Sequence, residues 1–210
     1  MRAVGLPVEL AQAPLRTVRA RDVTAYAHPR TQLARLEQRG VLHRLADGFY
    51  VAVPQDRVGE PWLPTLEGAA AGIAAAEFGE RQYALMGVSA ARLHRVLPRA
   101  VAVAYVAAPR RRQEMRLTDR DATIRFPPRD LNVVQVELLR TDLGECLVTT
   151  PEQTVLDLAR VRRDPADEDD VRDAVRALLP RCDDAALEEI AATQRLGRAL
   201  TLVRRIARAA

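Results

Sequence analysis

The chain has 210 residues and a formal net charge of +4, and all 32 of its basic residues are arginine. That length accommodates a small module of about 50 residues beside a domain of about 150. The lack of lysine excludes a phosphate-loop lysine, a Schiff-base lysine and the lysine-bearing nuclease motif, and no apolar run approaches the roughly 20 residues of a membrane-spanning helix.

The segment Met1 to Leu10 carries Arg2 and Glu9 and has neither a long apolar stretch nor a small-residue cleavage site, so a cytoplasmic protein is expected. Cys146 and Cys182 stand far apart and outside any CxxC context, and read as core thiols. His28, His43 and His94 lack metal-ligand spacing, so they read as structural, with no metal or cofactor expected. Charge is unevenly placed. Arg16, Arg19, Arg21, Arg30, Arg35, Arg39 and Arg44 face only Asp22 and Glu37 in the first part of the chain, whereas acidic residues concentrate at Asp164 to Asp170 and again at Asp183, Asp184, Glu188 and Glu189. A basic front and a more acidic rear suggest two partners.

In chain order, Leu6 to Ala13 reads as a short helix ended by Pro14. Ala20 to Tyr26 reads as a second, with Val23 and Tyr26 on one face. His28-Pro29 starts a third, because proline at the first helical position needs no hydrogen-bond partner, and Gly40 stops it. On this third helix Leu33 and Leu36 point inward, while Thr31, Ala34, Arg35 and Gln38 fall on the opposite side. Two apolar runs around Asp47-Gly48 then predict a hairpin. Three short helices and a hairpin make a winged helix-turn-helix over residues 1–54. Its third helix would enter a major groove through Arg30, Thr31, Gln32, Arg35, Gln38 and Arg39, with Arg44 on the hairpin reaching the backbone. The expected partner of such a module is double-stranded DNA.

Residues 55–64 are rich in proline, glycine and charge and read as a linker. The remainder, 65–210, reads as a mixed α/β domain with C-terminal helices, which makes the whole chain α+β. Leu66 to Phe78 forms an Ala-rich helix that permits close approach, and Ser89 caps a second helix ending before Pro98. Strands are expected at Val101 to Ala108, Thr123 to Phe126, Val134 to Leu138 and Leu147 to Thr149, in one sheet. Thr150, Pro151 and Gln153 spell a capping box for the next helix, which gives Thr150, Glu152 and Asp157 structural roles. Amphipathic helices follow around Val171 to Leu178 and Leu187 to Ala191. The last helix carries Arg195, Arg198, Arg204, Arg205 and Arg208 opposite Leu196, Leu200 and Val203.

Two separated segments resemble one family. Thr31-Gln-Leu-Ala-Arg-Leu-Glu-Gln-Arg-Gly40-Val-Leu-His-Arg-Leu-Ala-Asp-Gly48-Phe-Tyr50-Val and Val148-Thr-Thr-Pro151-Glu-Gln-Thr-Val-Leu-Asp157-Leu-Ala look like the two signature stretches of AbiEi-type antitoxins, in the same order. Gln153 stands where arginine is usual, and Ala27 where many such turns carry glycine. The resemblance implies an antitoxin whose winged helix represses its own operon and whose larger domain counters a nucleotidyltransferase toxin, with no catalytic residues of its own. Two alternatives are a winged-helix transcription factor with a ligand-sensing domain and a DNA endonuclease. The second would draw on Asp119, Asp121 and Glu137. Arg110-Arg111-Arg112 follows a strand, where DNA phosphate or a toxin is an available partner.

Overall fold

The computed structural model describes residues 6–160 and 165–208. Part of the acidic stretch beginning at Asp164 and the first five residues lie outside this set. The chain opens with α1 (Val8–Ala11), a 3₁₀ turn and β1 (Thr17–Arg19), then α2 (Pro29–Gln38), β2 (Leu42–Ala46) and β3 (Phe49–Ala52). The three strands form an antiparallel sheet in the order β1-β3-β2.

The helix expected over Ala20 to Tyr26 is absent. A 3₁₀ turn covers Ala20–Asp22, Val23 is extended, and residues 25–28 bend into the start of the next helix. The reason is a competing acceptor: the Glu9 carboxylate takes the backbone N–H groups of Thr24 at 2.9 Å and Ala25 at 2.8 Å, bonds that a helix would have given to carbonyls four residues back. Val23 is still buried, in a small core with Leu10, Val18, Leu33, Leu36 and Leu42. At the hairpin, Gly48 takes φ +77° while Asp47 stays at negative φ, so the turn is not the mirror-image type with both central residues left-handed. A bulge between Arg44 and Ala46 turns Leu45 away from its own sheet's helix and into the next core.

After a 3₁₀ turn at Gln55–Arg57 come α3 (Leu66–Phe78), β4 (Ala84–Leu85), α4 (Val88–Leu93), β5 (Val103–Ala107), β6 (Met115–Arg116), β7 (Thr123–Arg125), β8 (Val136–Thr141) and β9 (Gly144–Thr149). The helices α5 (Pro151–Arg160), α6 (Pro165–Leu178), α7 (Asp184–Thr193) and α8 (Gly197–Arg208) complete the chain. The six strands make one mixed sheet, β6-β7-β5-β4-β9-β8, in which β4 runs parallel to β9 and β5 parallel to β7. The fold is thus α+β. The two-residue β4 and β6 have no sequence signal of their own, because so short a strand is defined by its neighbours.

Residues 6–53 and the six-stranded sheet share a core. Leu45, Phe49 and Val51 from the hairpin pack with Ile73 and the alanines of α3, and with Leu85, Val106, Ile124 and Val148 of the sheet. The approach of α3 to β1 is close enough that a Cβ on Gly72 would lie 2.2 Å from Thr17 Oγ1. Small residues on α3 therefore have a specific use: they let the N-terminal sheet sit against the helix backbone.

Three local expectations are corrected. Ser89 is not a cap; it lies inside α4, and its Oγ accepts the backbone N–H of Tyr105 at 2.9 Å. The strand expected over Val134 to Leu138 is β8, shifted to Val136–Thr141, with Val136 and Leu138 exposed at 39% and 61% and Leu139 packed on the main core beside its cross-strand partner Cys146. This is an edge strand whose outer face is uncovered. Finally, Thr150 does cap α5, accepting the N–H of Gln153 at 3.3 Å, but the box is not reciprocal. The Thr150 N–H bonds to the Gln135 carbonyl, which frees Gln153 to turn inward.

That inward turn builds a buried polar network. Gln153 and Gln194 exchange amide hydrogen bonds at 3.2 and 2.6 Å, and Gln153 also donates to Asp157 at 3.3 Å. Arg129 donates to Asp157 at 2.7 Å and to Gln194 at 2.7 Å. Burial pushes the Asp157 carboxyl above its ordinary value, against the pull of Arg129 and the Gln153 amide. The network ties the loop after β7 to α5 and to the turn following α7, and so docks the C-terminal helices on the sheet.

Candidate nucleic-acid interface

The helix α2 begins at Pro29 and ends in a Schellman motif, with Gly40 at φ +67° donating to Glu37 O and Val41 donating to Leu36 O. Leu33 and Leu36 are buried against the small core, which fixes the rotation of the helix. The opposite face is consequently outward: Arg30, Thr31, Arg35, Gln38 and Arg39 are exposed, and Gln32 is half-buried. Among the described residues, the Arg30, Arg35 and Arg39 side chains meet no hydrogen-bond or ion-pair partner. Arg44 differs. It sits half-buried on β2 and donates to Asp47 at the hairpin tip, 2.7 Å away, so a phosphate would have to compete with that carboxylate.

Around the start of α2, Arg21, His28 and Arg30 help line an open cavity of about 340 Å³. A further group, which no local sequence pattern links, gathers at the end of β1. Glu77, at the end of α3, is almost wholly buried and receives Arg19 at 2.7 Å, Arg112 at 3.4 Å and Arg110 at 3.5 Å. The only sequence signal was the arginine run itself, because the meeting point is a carboxylate more than 30 residues away.

The hairpin is also fastened from the other side. His43 on β2 donates through Nε2 to Asp119 at 2.8 Å, and Arg120 donates to the same carboxylate at 2.9 Å. Burial alone would raise the Asp119 carboxyl, but the His43 and Arg120 hydrogen bonds and their charge outweigh it and hold it at about 2. A carboxyl depressed in the folded state contributes stability that is complete above its unfolded value of 3.8 and lost as pH falls through about 2. The thermal midpoint is therefore expected to drop between about pH 4 and pH 2, and Asp119→Asn to lie lower at neutral pH with a flatter acid limb. Identical acid limbs in the two proteins would show that this carboxylate does not carry the acid sensitivity.

The carboxylates considered for a nuclease are dispersed. Asp119 is occupied as described, Asp121 pairs with Arg116 at 2.9 Å on the surface, and Glu137 lies on β8 at the far edge of the sheet, 3.9 Å from His94. His94 is buried, with Nε2 donating to Thr149 O at 2.8 Å and Nδ1 facing Arg181. Burial lowers its pKa, which with this bonding fits the neutral ring protonated on Nε2. Cys146 is buried, and Cys182 packs at the margin of the helical core. Among the described residues no three His, Cys, Asp or Glu side chains gather as a metal site, and no helix is long and apolar enough to cross a membrane.

Residues 83–205 match the family model of the AbiEi antitoxin C-terminal domain. The chain belongs to the AbiEi antitoxin family. The match takes in the sheet from β4 onward and nearly all of the helical half, including the Arg129–Asp157–Gln153–Gln194 network. The α2 helix and its hairpin precede the matched span. In fold, this AbiEi antitoxin resembles the crystal structure of the RV2827C protein from Mycobacterium tuberculosis over 91% of its own length and 72% of that chain, with a TM-score of 0.60 and 17% identity. No curated protein sequence matches it.

Proposed function

We propose that this AbiEi antitoxin acts stoichiometrically in the cytoplasm: it binds operator DNA through α2, represses its own operon, and counters a nucleotidyltransferase toxin through residues 65–210. The observation that carries the DNA reading is the outward face of α2, where Arg30, Arg35 and Arg39 stand exposed with no partner among the described residues. A guanidinium held only by water is available to form bidentate bonds to phosphate or to the guanine edge. The order helix, strand, 3₁₀ turn, helix, hairpin supports a winged helix-turn-helix over residues 1–54, with the second helix reduced to one turn and residues 55–64 as the connection. In this reading α2 lies in the major groove, the hairpin runs along the adjacent backbone, and an inverted repeat presents one half-site to each of two copies.

The test is fluorescence anisotropy of the full chain against its own upstream DNA and a scrambled duplex at two salt concentrations. Preference for the upstream duplex is expected, and Arg35→Ala should weaken that binding by about 1–3 kcal/mol if the side chain reads a base. Equal binding to both duplexes, or no change after alanine replaces Arg35, Gln38 and Arg39 together, would remove α2 as the reader.

A further inference from the structure

We propose that α7 and α8 form the interface through which two copies of this chain associate, with α8 of each copy seated on α7 of the other. The inference goes beyond the DNA-binding reading and is tested without DNA. The helix α8 carries no acidic residue, and its buried side chains Ala199, Val203 and Ile206 fix which way it faces. Arg198, Thr201, Leu202, Arg205 and Arg208 consequently lie together on the solvent side. Arg198, Arg205 and Arg208 meet no hydrogen-bond or ion-pair partner among the described residues, and Leu202, in their midst, is 38% exposed. The neighbouring α6 treats its arginines differently: Arg172 pairs with Asp169 at 2.6 Å and Arg176 with Asp173 at 3.4 Å, each one turn away. The solvent side of α8 has no such compensation within its own helix.

Its complement stands beside it. On α7 the buried Leu187, Ile190 and Ala191 turn Asp184, Ala185, Glu188, Glu189 and Ala192 outward. By helical spacing Ala185 and Ala192 run down the middle of that face, with Glu188 on one side and Glu189 on the other. Arg204 bonds to Glu188 across the seam between the helices, so the acidic and basic faces adjoin. Asp184 and Glu189 meet no side-chain partner among the described residues. A leucine flanked by arginines fits a shallow alanine track flanked by glutamates. Because one chain holds both halves, a two-fold rotation satisfies both contacts at once. Duplex DNA fits this surface less well, since its phosphates would meet the carboxylates of α7 and offer Leu202 no apolar cover. Helices of 10 and 12 residues cover less than the roughly 800 Å² per partner of a standard interface, so a weak, salt-sensitive association in the micromolar range is expected.

The experiment is sedimentation velocity of the full chain without DNA, from micromolar to several hundred micromolar protein, at low and high salt. The wild type should self-associate, and less so at high salt. Arg205→Glu and Glu189→Arg should each sediment as a monomer, because each sets like charges against one another at both ends of the two-fold pair. An equimolar mixture of the two variants should dimerise again, since in the mixed pair both contacts once more oppose a positive to a negative charge. Both side chains are exposed and without an intramolecular partner among the described residues, so unchanged unfolding midpoints are expected and separate association from folding. A wild type that stays monomeric throughout overturns the proposal, as does a dimer that both variants leave intact, or a mixture that stays monomeric. If the wild type is monomeric and Arg205→Glu instead loses affinity for a scrambled duplex, the α8 arginines serve nucleic acid and the proposal fails. None of these results bears on α2, which Arg35→Ala tests separately against upstream DNA.

Discussion

Arg129→Ala is expected to destabilise the protein by about 3–5 kcal/mol, the range for breaking a buried ion pair by removing one partner. The Arg129 side chain is 10% exposed and Asp157 1%, with the contact at 2.7 Å. Without the guanidinium, the carboxyl must stay charged and unpaired in the interior or take up a proton, and Gln194 loses a donor as well. One Asp157 oxygen is already buried without a hydrogen-bond partner, so no spare donor is in place to compensate. Chemical unfolding followed by far-UV circular dichroism measures the effect. Replacing both ends of the pair with apolar residues should cost less than the single change, because the desolvation penalty leaves with the charges. A single mutant within about 1 kcal/mol of the wild type would show that the pair is not buried in solution as described.

Leu45→Ala should cost about 2–5 kcal/mol, and its manner of unfolding matters as much as its size. Leu45 belongs by sequence to the hairpin and by packing to the core of the six-stranded sheet, where it is fully buried. Its carbonyl also accepts the Thr118 N–H at 2.9 Å, across the same junction. If residues 6–53 and the sheet fold as one cooperative unit, the cavity lowers a single transition, seen alike by circular dichroism and by fluorescence of Trp62, the one tryptophan, which packs against this core. Trp62 reporting at lower denaturant than the helices would mean instead that the N-terminal module opens by itself.

The shared core bears on how the antitoxin could couple its two proposed roles. Glu77, Asp119 and Leu45 each join the N-terminal module to the rest through a different kind of contact: an arginine cluster, a histidine–carboxylate bond and apolar packing. A ligand bound by one half would therefore meet a partner already held in one arrangement, rather than two modules on a free linker. This connection runs through side chains far apart in the sequence, and no local pattern announces it.

By itself the sequence determined the elements whose signals are local. Pro29, Leu33, Leu36 and Gly40 specified the start, buried face and end of α2, and Asp47-Gly48 specified the hairpin, because capping, periodicity and turn geometry involve only near neighbours. The segment around Thr150 to Ala159 likewise pointed to the family that the match over 83–205 establishes. Tertiary structure decided whatever depended on a distant acceptor or charge. Glu9 removed the second helix by taking the N–H groups of Thr24 and Ala25. Gln135 took the Thr150 N–H and freed Gln153 for the interior, where its amide both donates and accepts, as a guanidinium, a donor only, cannot. Glu77 gathered arginines from β1 and from the loop after β5 into one surface. In each case a polar group brought from far along the chain outbid a local preference of about 1 kcal/mol or less per residue, because a buried donor, acceptor or charge left unpaired costs more than that.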